Sequence, residues 1–352
     1  MRNRLLSSRT SWRWQKLAVP FALLAAVLFP VVIHSEYWIT IGYQTGMLMT
    51  LALGLNIVVG YAGLLDLGFA AFFAIGAYTT GILSTQDGWS VLATIPVGIL
   101  VAIGGAIFVG VPTLRLRSDY LAVVTLGFGE IVQAFANNLT VTGGAAGVYG
   151  IPPLQIFGYQ FLTAKSYYYA FLVLVIICVG ITFRVRHSRL GRAWLCIRED
   201  EDAAQAMGIK TYRYKLYAYT GGAVFGAAAG SLFAPALTAI SPTSFGFPES
   251  LLILMAVSIG GMGSIWGALL GATVVEVLPE VFRSFSQARF LVFGVVLIAM
   301  MMLRPHGLIP EGGVADLFNR LPFRRAARAG DGINGETTHA LPTPAAADEA
   351  AL

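Results

Sequence analysis

The chain has 352 residues, 57% of them hydrophobic and only 12% charged, with 40 glycines and a mean hydropathy of +0.73. Water-soluble domains of this length do not have that profile, so the chain belongs in a membrane. Its net charge of +5 does not point to nucleic acid, because the basic residues lie between apolar spans rather than along one helix face.

In chain order, a basic segment, residues 1–16, precedes an apolar stretch from Leu17 to Ile33. That stretch lacks a small-residue cleavage site and is followed at once by further apolar runs, so it reads as a retained helix rather than a removed signal peptide. The remaining candidate spans are 39–60, 67–84, 91–112, 119–137, 167–183, 214–238, 249–261, 264–281 and 288–303. Most have the length an α-helix needs to cross ~30 Å of hydrocarbon, and the short alternating strands of a barrel are missing. Residues 17–310 are therefore expected to form an all-α polytopic membrane domain of about ten transmembrane helices, some short or broken at Gly-rich points. Residues 311–352, rich in Gly, Ala, Pro and scattered charge, read as a disordered cytoplasmic tail.

Basic residues orient the spans. With ten crossings and the N-terminus inside, 20 of the 23 Lys and Arg fall on the cytoplasmic side, leaving Lys165, Arg283 and Arg289 outside. Merging the two short spans around Gly260-Gly261-Met262-Gly263-Ser264 would send the basic tail outward, so ten crossings with both termini cytoplasmic is preferred. A similar break, Gly60-Tyr61-Ala62-Gly63, precedes Asp66, which is expected to cap a helix starting at Leu67. Such breaks suit discontinuous helices or close helix contacts through small residues.

No P-loop, HExxH, Gly-x-Ser-x-Gly or His/Cys cluster is present, and Cys178 and Cys196 suit neither a disulfide nor a metal. Catalytic and metal-ligating residues are therefore not expected in this chain. Polar groups at membrane depth are the next candidates, because lipid penalises them. Glu130, with Gln133 and Asn137 at i+3 and i+7, marks one polar helix face, and Asn56 flanks the first glycine break. These groups, together with Gly143 and Gly144, read either as structural, hydrogen bonding between helices, or as lining of a translocation path. Gly143 and Gly144 open a Gly-rich outer loop that reads either as a plain flexible connection or as a backbone cradle for a carboxylate.

The longest expected cytoplasmic loop, about 184–215, contains "LCIREDEDAAQAMGIKTYRYK". Glu199, Asp200, Glu201 and Asp202 suit the positive end of a helix dipole, the alanines favour helix, and Gly208 is a natural stop. The spacing predicts a helix of two to three turns whose Ala203, Ala204 and Met207 form a small apolar face. That face reads either as a fit for another protein or as a connector lying on lipid headgroups.

The segment "EDAAQAMGI" resembles the coupling loop of ABC importer permeases, which docks on an ATPase subunit. The stretches 54–78, 114–132, 137–144, 190–209, 258–272 and 302–310 resemble, in the same order, M-type permease subunits of branched-chain amino acid ABC importers. The resemblance implies a permease subunit translocating leucine, isoleucine, valine or closely related solutes across the inner membrane. Its implied partners are a second, homologous permease, two ATPase subunits that bind ATP and Mg, and a periplasmic solute-binding protein. It puts Asp200, Glu201, Asp202, Ala203, Ala204, Met207 and Gly208 at the ATPase. Two motifs depart from the family pattern, Gly143-Gly144-Ala145-Ala146-Gly147 and Arg304-Pro305-His306-Gly307, and the first leaves urea, amides or other amino acids open as substrates. A gradient-driven secondary transporter, relying on Glu130, is the competing class.

Overall fold

The computed structural model describes residues 24–114, 118–156, 158–281, 294, 298, 302 and 307–309. Most of the last expected span (288–303), residues 17–23 of the first, the segment 1–16 and the tail 311–352 lie outside them. Apolar sequence of this kind satisfies its backbone within the helix, the favoured solution where water is absent, and the described residues form eleven α-helices. They are α1 (24–32), α2 (Glu36–Leu55), α3 (Ala70–Thr85), α4 (Val91–Thr113), α5 (Ser118–Asn138), α6 (Ala164–Arg186), α7 (Arg189–Glu199), α8 (Glu201–Ala206), α9 (Thr211–Leu237), α10 (Phe247–Gly260) and α11 (Ile265–Val281). Among the described residues, six helical stretches are long and apolar enough to cross a membrane. The shorter α3 and α11, of 16 and 17 residues, pack beside them.

Burial sorts these helices. In the most apolar window of each, 78% of α2 with its continuation and 72% of α9 are buried, against 28% in α4, 22% in α5 and 28% in α6. The first two are therefore the interior of the bundle, and the last three present side chains to lipid or to another chain. Small residues bring α9 against α2 and α3: a Cβ added at Gly222 would stand 2.6 Å from Val58 Cγ2, and one at Gly226 3.0 Å from Phe72 Cβ. Phe72, Phe73, Tyr219 and Phe233 fill the remaining space edge to face or tilted.

Two interruptions shape one end of the bundle. Residues Asn56–Tyr61 continue α2 as a π-helical turn, a wider coil that recurs at functional sites. Residues 62–69 then run without regular helix to α3. Here the sequence expectation fails: the helix begins at Ala70, not Leu67, and Ser250 Oγ of α10 takes the Ala70 amide at 3.0 Å. The Asp66 carboxylate instead accepts the Gly68 amide at 2.9 Å in a local turn. The second interruption, Gly261–Ser264, separates α10 from α11 as the glycines suggest, and the chain returns to it at 307–309. Leu308 N and Ile309 N donate to the carbonyls of Ile259 (2.8 Å) and Gly260 (3.0 Å) that end α10.

At the opposite end, β1 (Val148–Tyr149) pairs antiparallel with β4 (Ala239–Ile240), and β2 (Gln155–Ile156) with β3 (Tyr159–Gln160). The first of these two-residue ladders ties the loop after α5 to the end of α9, and the second folds that loop back on itself.

Candidate functional site

The α7–α8 hairpin is built by its own caps. Ser188 caps α7, its hydroxyl accepting the amides of Leu190 (3.1 Å) and Gly191 (3.4 Å). The inward face of α7 carries Gly191, Ala193, Trp194 and Ile197, and Trp194 Nε1 donates to Tyr214 O of α9 at 2.7 Å. Asp200 turns extended (φ −156°, ψ 110°), ends α7 and caps α8 by accepting the Ala203 amide at 2.9 Å. Gly208, at φ +85°, closes α8: Gly208 N donates to Gln205 O (2.9 Å) and Ile209 N to Ala204 O (3.1 Å), the paired bonds of a Schellman cap. Start and stop are those the acidic run and the glycine suggest, although α8 has six residues rather than two to three turns.

Two charged contacts seat this hairpin on the bundle. Lys215 of α9, with only 7% of its side chain exposed, meets Glu201 Oε2 at 2.5 Å. Arg198 of α7 donates through Nη1 to the Gly60 carbonyl in the π-helical turn; just ahead of the hairpin, Arg186 at the end of α6 lies over the Tyr61 ring at 5.8 Å. The hairpin therefore touches both the interior helix α9 and the first interruption.

The exposed face of α8 differs from the expected one. Ala204 turns inward and is 4% exposed, because Glu201 and Ala204, separated by nearly one turn, share the side that meets the bundle. Ala203, Ala206 and Met207 lie exposed on the other side, Met207 at 84%. Ala206 thus replaces Ala204 in the outward apolar face, while Asp202 and Gly208 are exposed beside it. The heptad-like spacing of Ala203, Ala206 and Met207 would have shown this, had the ion pair of Glu201 been known.

The other candidate residues do not form one site. Glu130 and Asn137 stand exposed on α5, and Gln133 is half-buried, its Nε2 donating to Pro242 O at 3.2 Å. Asn56 lies elsewhere, fully buried between the two interruptions. Its Oδ1 accepts Gly263 N at 2.8 Å and its Nδ2 donates to Ser264 O at 3.3 Å, so both polar ends are committed to joining the breaks rather than facing a path. The reading of Gly143 and Gly144 as an open carboxylate cradle is also corrected. Both take positive φ (77° and 59°), but their amides donate to Thr140 O (3.1 Å) and Leu139 O (3.0 Å) within the turn. The turn closes on itself and leaves neither amide for a ligand.

A long-helix bundle with an appended helical hairpin is the setting in which the comparisons with known proteins gain meaning. Residues 37–304 match the family described as the branched-chain amino acid transport system permease component. The chain belongs to this permease family. It is 39% identical over 320 residues to the high-affinity branched-chain amino acid transport system permease protein LivM of Escherichia coli K12, covering 84% of this chain and 75% of that one. The probable LivM of Methanocaldococcus jannaschii is 27% identical, over 76% of this chain and 91% of its own length. The LivH permease of E. coli K12 is 25% identical, over 74% of this chain and 90% of its own. No solved structure matches the chain. As a member of the family, the chain is a multi-pass membrane permease, a transport subunit.

Proposed function

We propose that the chain forms one half of the membrane pore of an ABC importer, paired with a second homologous permease and driven by two cytoplasmic ATPases that bind ATP and Mg. A periplasmic binding protein delivers leucine, isoleucine, valine or a closely related solute. The observation that carries this reading is α8: a capped, ion-paired helix on the bundle that leaves Ala203, Ala206 and Met207 outward. A six-residue helix has no independent stability, so its rigid seating and open apolar side suit a transmitter that receives force from another protein. In this reading ten spans cross the inner membrane, both termini are cytoplasmic, and α7–α8 lie on the cytoplasmic side with 20 of the 23 Lys and Arg.

The pore follows from α5. Glu130 sits twelve residues into that helix on an exposed face, about 18 Å along its axis at 1.5 Å per residue. A carboxylate at that depth is strongly disfavoured in hydrocarbon, so α5 turns toward the second permease, and Glu130 and Asn137 line the space between them. Substrate passes there when ATP closes the ATPases and α8 carries that motion into the spans. Choice among solutes, including urea or amides, rests largely with the binding protein.

The test is reconstitution of this chain in proteoliposomes with a second permease, both ATPases and the loaded binding protein. ATP-dependent leucine uptake supports the proposal. Uptake driven by a proton or sodium gradient without ATPases overturns it in favour of a secondary transporter.

A further inference from the structure

The described contacts connect α7–α8 to the membrane interior at one point that the proposed function does not use. Arg198 lies two residues before the Asp200 cap, so it moves with α8. Its guanidinium donates to the Gly60 carbonyl inside the π-helical turn. Its stem lies along Gly63, where an added Cβ would stand 2.8 Å from Arg198 Cγ and where φ is +69°. Arg198 also pairs with Glu199 at 3.6 Å, outside the bundle. This turn continues α2 as an i to i+5 coil, a form that occurs mostly as single turns and frequently at functional sites.

From Gly60 two routes lead on. Asn56, one π-turn earlier, is hydrogen-bonded to Gly263 and Ser264 of the second interruption, and the space beside Gly60 Cα is already filled by Asn56 and Gly263. Residues 62–69 follow the turn in the other direction and pack on α5. Leu67 N donates to Thr125 Oγ1 at 3.1 Å, and a Cβ added at Gly129 would stand 3.3 Å from Gly68 Cα. Gly129 is the neighbour of Glu130. Close-packed backbone of this kind transmits displacement rather than absorbing it.

We propose that Arg198 is the positioning residue through which movement of α7–α8 reaches both helix interruptions and the path-facing helix α5. The inference rests on the proposed importer function. Movement of α8 shifts the Arg198 guanidinium, the Gly60 carbonyl follows, and the π-helical turn passes the shift to the α10–α11 break through Asn56 and to α5 through residues 62–69. Arg198 touches no solute and no nucleotide.

The experiment uses the full transporter in proteoliposomes, with ATP hydrolysis and leucine uptake measured on the same preparation. R198A is expected to co-purify with its partners and to hydrolyse ATP within about two-fold of wild type, while uptake per ATP falls at least ten-fold. R198K, which keeps a donor for Gly60, is expected to regain at least a third of the wild-type ratio. Wild-type uptake per ATP in R198A overturns the proposal, and so does an R198K that is no better than R198A. If R198A does not assemble, the decision passes to Asn56→Ala, which alters neither α7 nor α8. Loss of uptake with hydrolysis retained there supports the relay, and a normal ratio or failed assembly overturns it. A wild-type complex without ATP-driven uptake indicts the importer reading itself, so the two failures are separable.

Discussion

Glu201→Ala is expected to loosen α8 more than Lys215→Met does, although both remove the same ion pair. The asymmetry comes from burial. In the pair, 7% of the Lys215 side chain is exposed but 46% of that of Glu201. Removing Glu201 strands an ammonium group in a nearly closed site, and an uncompensated buried charge is worth about 3–5 kcal/mol of destabilisation at full burial. Some solvent access through the gap left by the truncated side chain lowers this to roughly 2–3 kcal/mol. Removing Lys215 frees a carboxylate that is already half in water, so only the charge-assisted hydrogen bond is lost, about 1–2 kcal/mol. Replacing both leaves no stranded charge, and the double variant is expected to recover at least 1 kcal/mol relative to Glu201→Ala. Amide hydrogen exchange across residues 200–209 of the purified permease measures this, because a helix of six residues holds its amides only while docked. Equal loss of protection in the two single variants, or no recovery in the double one, would refute the reasoning.

Three further outcomes are expected. Met207→Asp should leave the permease folded, since the side chain is 84% exposed, yet lower co-purification of the ATPases at least ten-fold. Ala204→Glu forces a carboxylate into a site that is 4% exposed, and Gly208→Pro cannot take φ +85°; both should uncouple ATP hydrolysis from uptake while membrane insertion stays normal. Glu130→Gln should retain transport above about a tenth of wild type if the group only lines the path, because the amide keeps size and polarity; complete loss with intact assembly, checked by size-exclusion profile, would instead indicate a required proton acceptor.

Much of this architecture is legible in the sequence because hydrocarbon leaves few choices: a long apolar run with its backbone unsatisfied is excluded, so Val91–Thr113 and Ala164–Arg186 lie within a few residues of where length and hydropathy put them. The start and stop of α8 are equally legible, since Asp200 and Gly208 act through their own backbone neighbours. What is hidden depends on partners distant in sequence. Asp66 has the identity of a cap, but Ser250, 184 residues later, occupies the Ala70 amide and the helix starts late. Asn56 looks like a polar group beside a path, but its partners at 263 and 264 lie over 200 residues away. The glycines at 143 and 144 show that positive φ is available without showing whether the amides remain free. Ala204 and Ala206 are indistinguishable by composition, and only the direction of the Glu201–Lys215 pair decides which one faces out.

The return of residues 307–309 to the end of α10 sets an order of events during synthesis. The carbonyls of Ile259 and Gly260 acquire their donors only when Leu308 and Ile309 have left the ribosome, some fifty residues after the helix they complete. Until then this corner of the protein exists with its hydrogen bonds unfilled, beside the same break that Asn56 joins to α2. A chain stopped short of residue 307 would therefore carry α1 to α11 and still leave these two carbonyls at the end of α10 without the donors that close it.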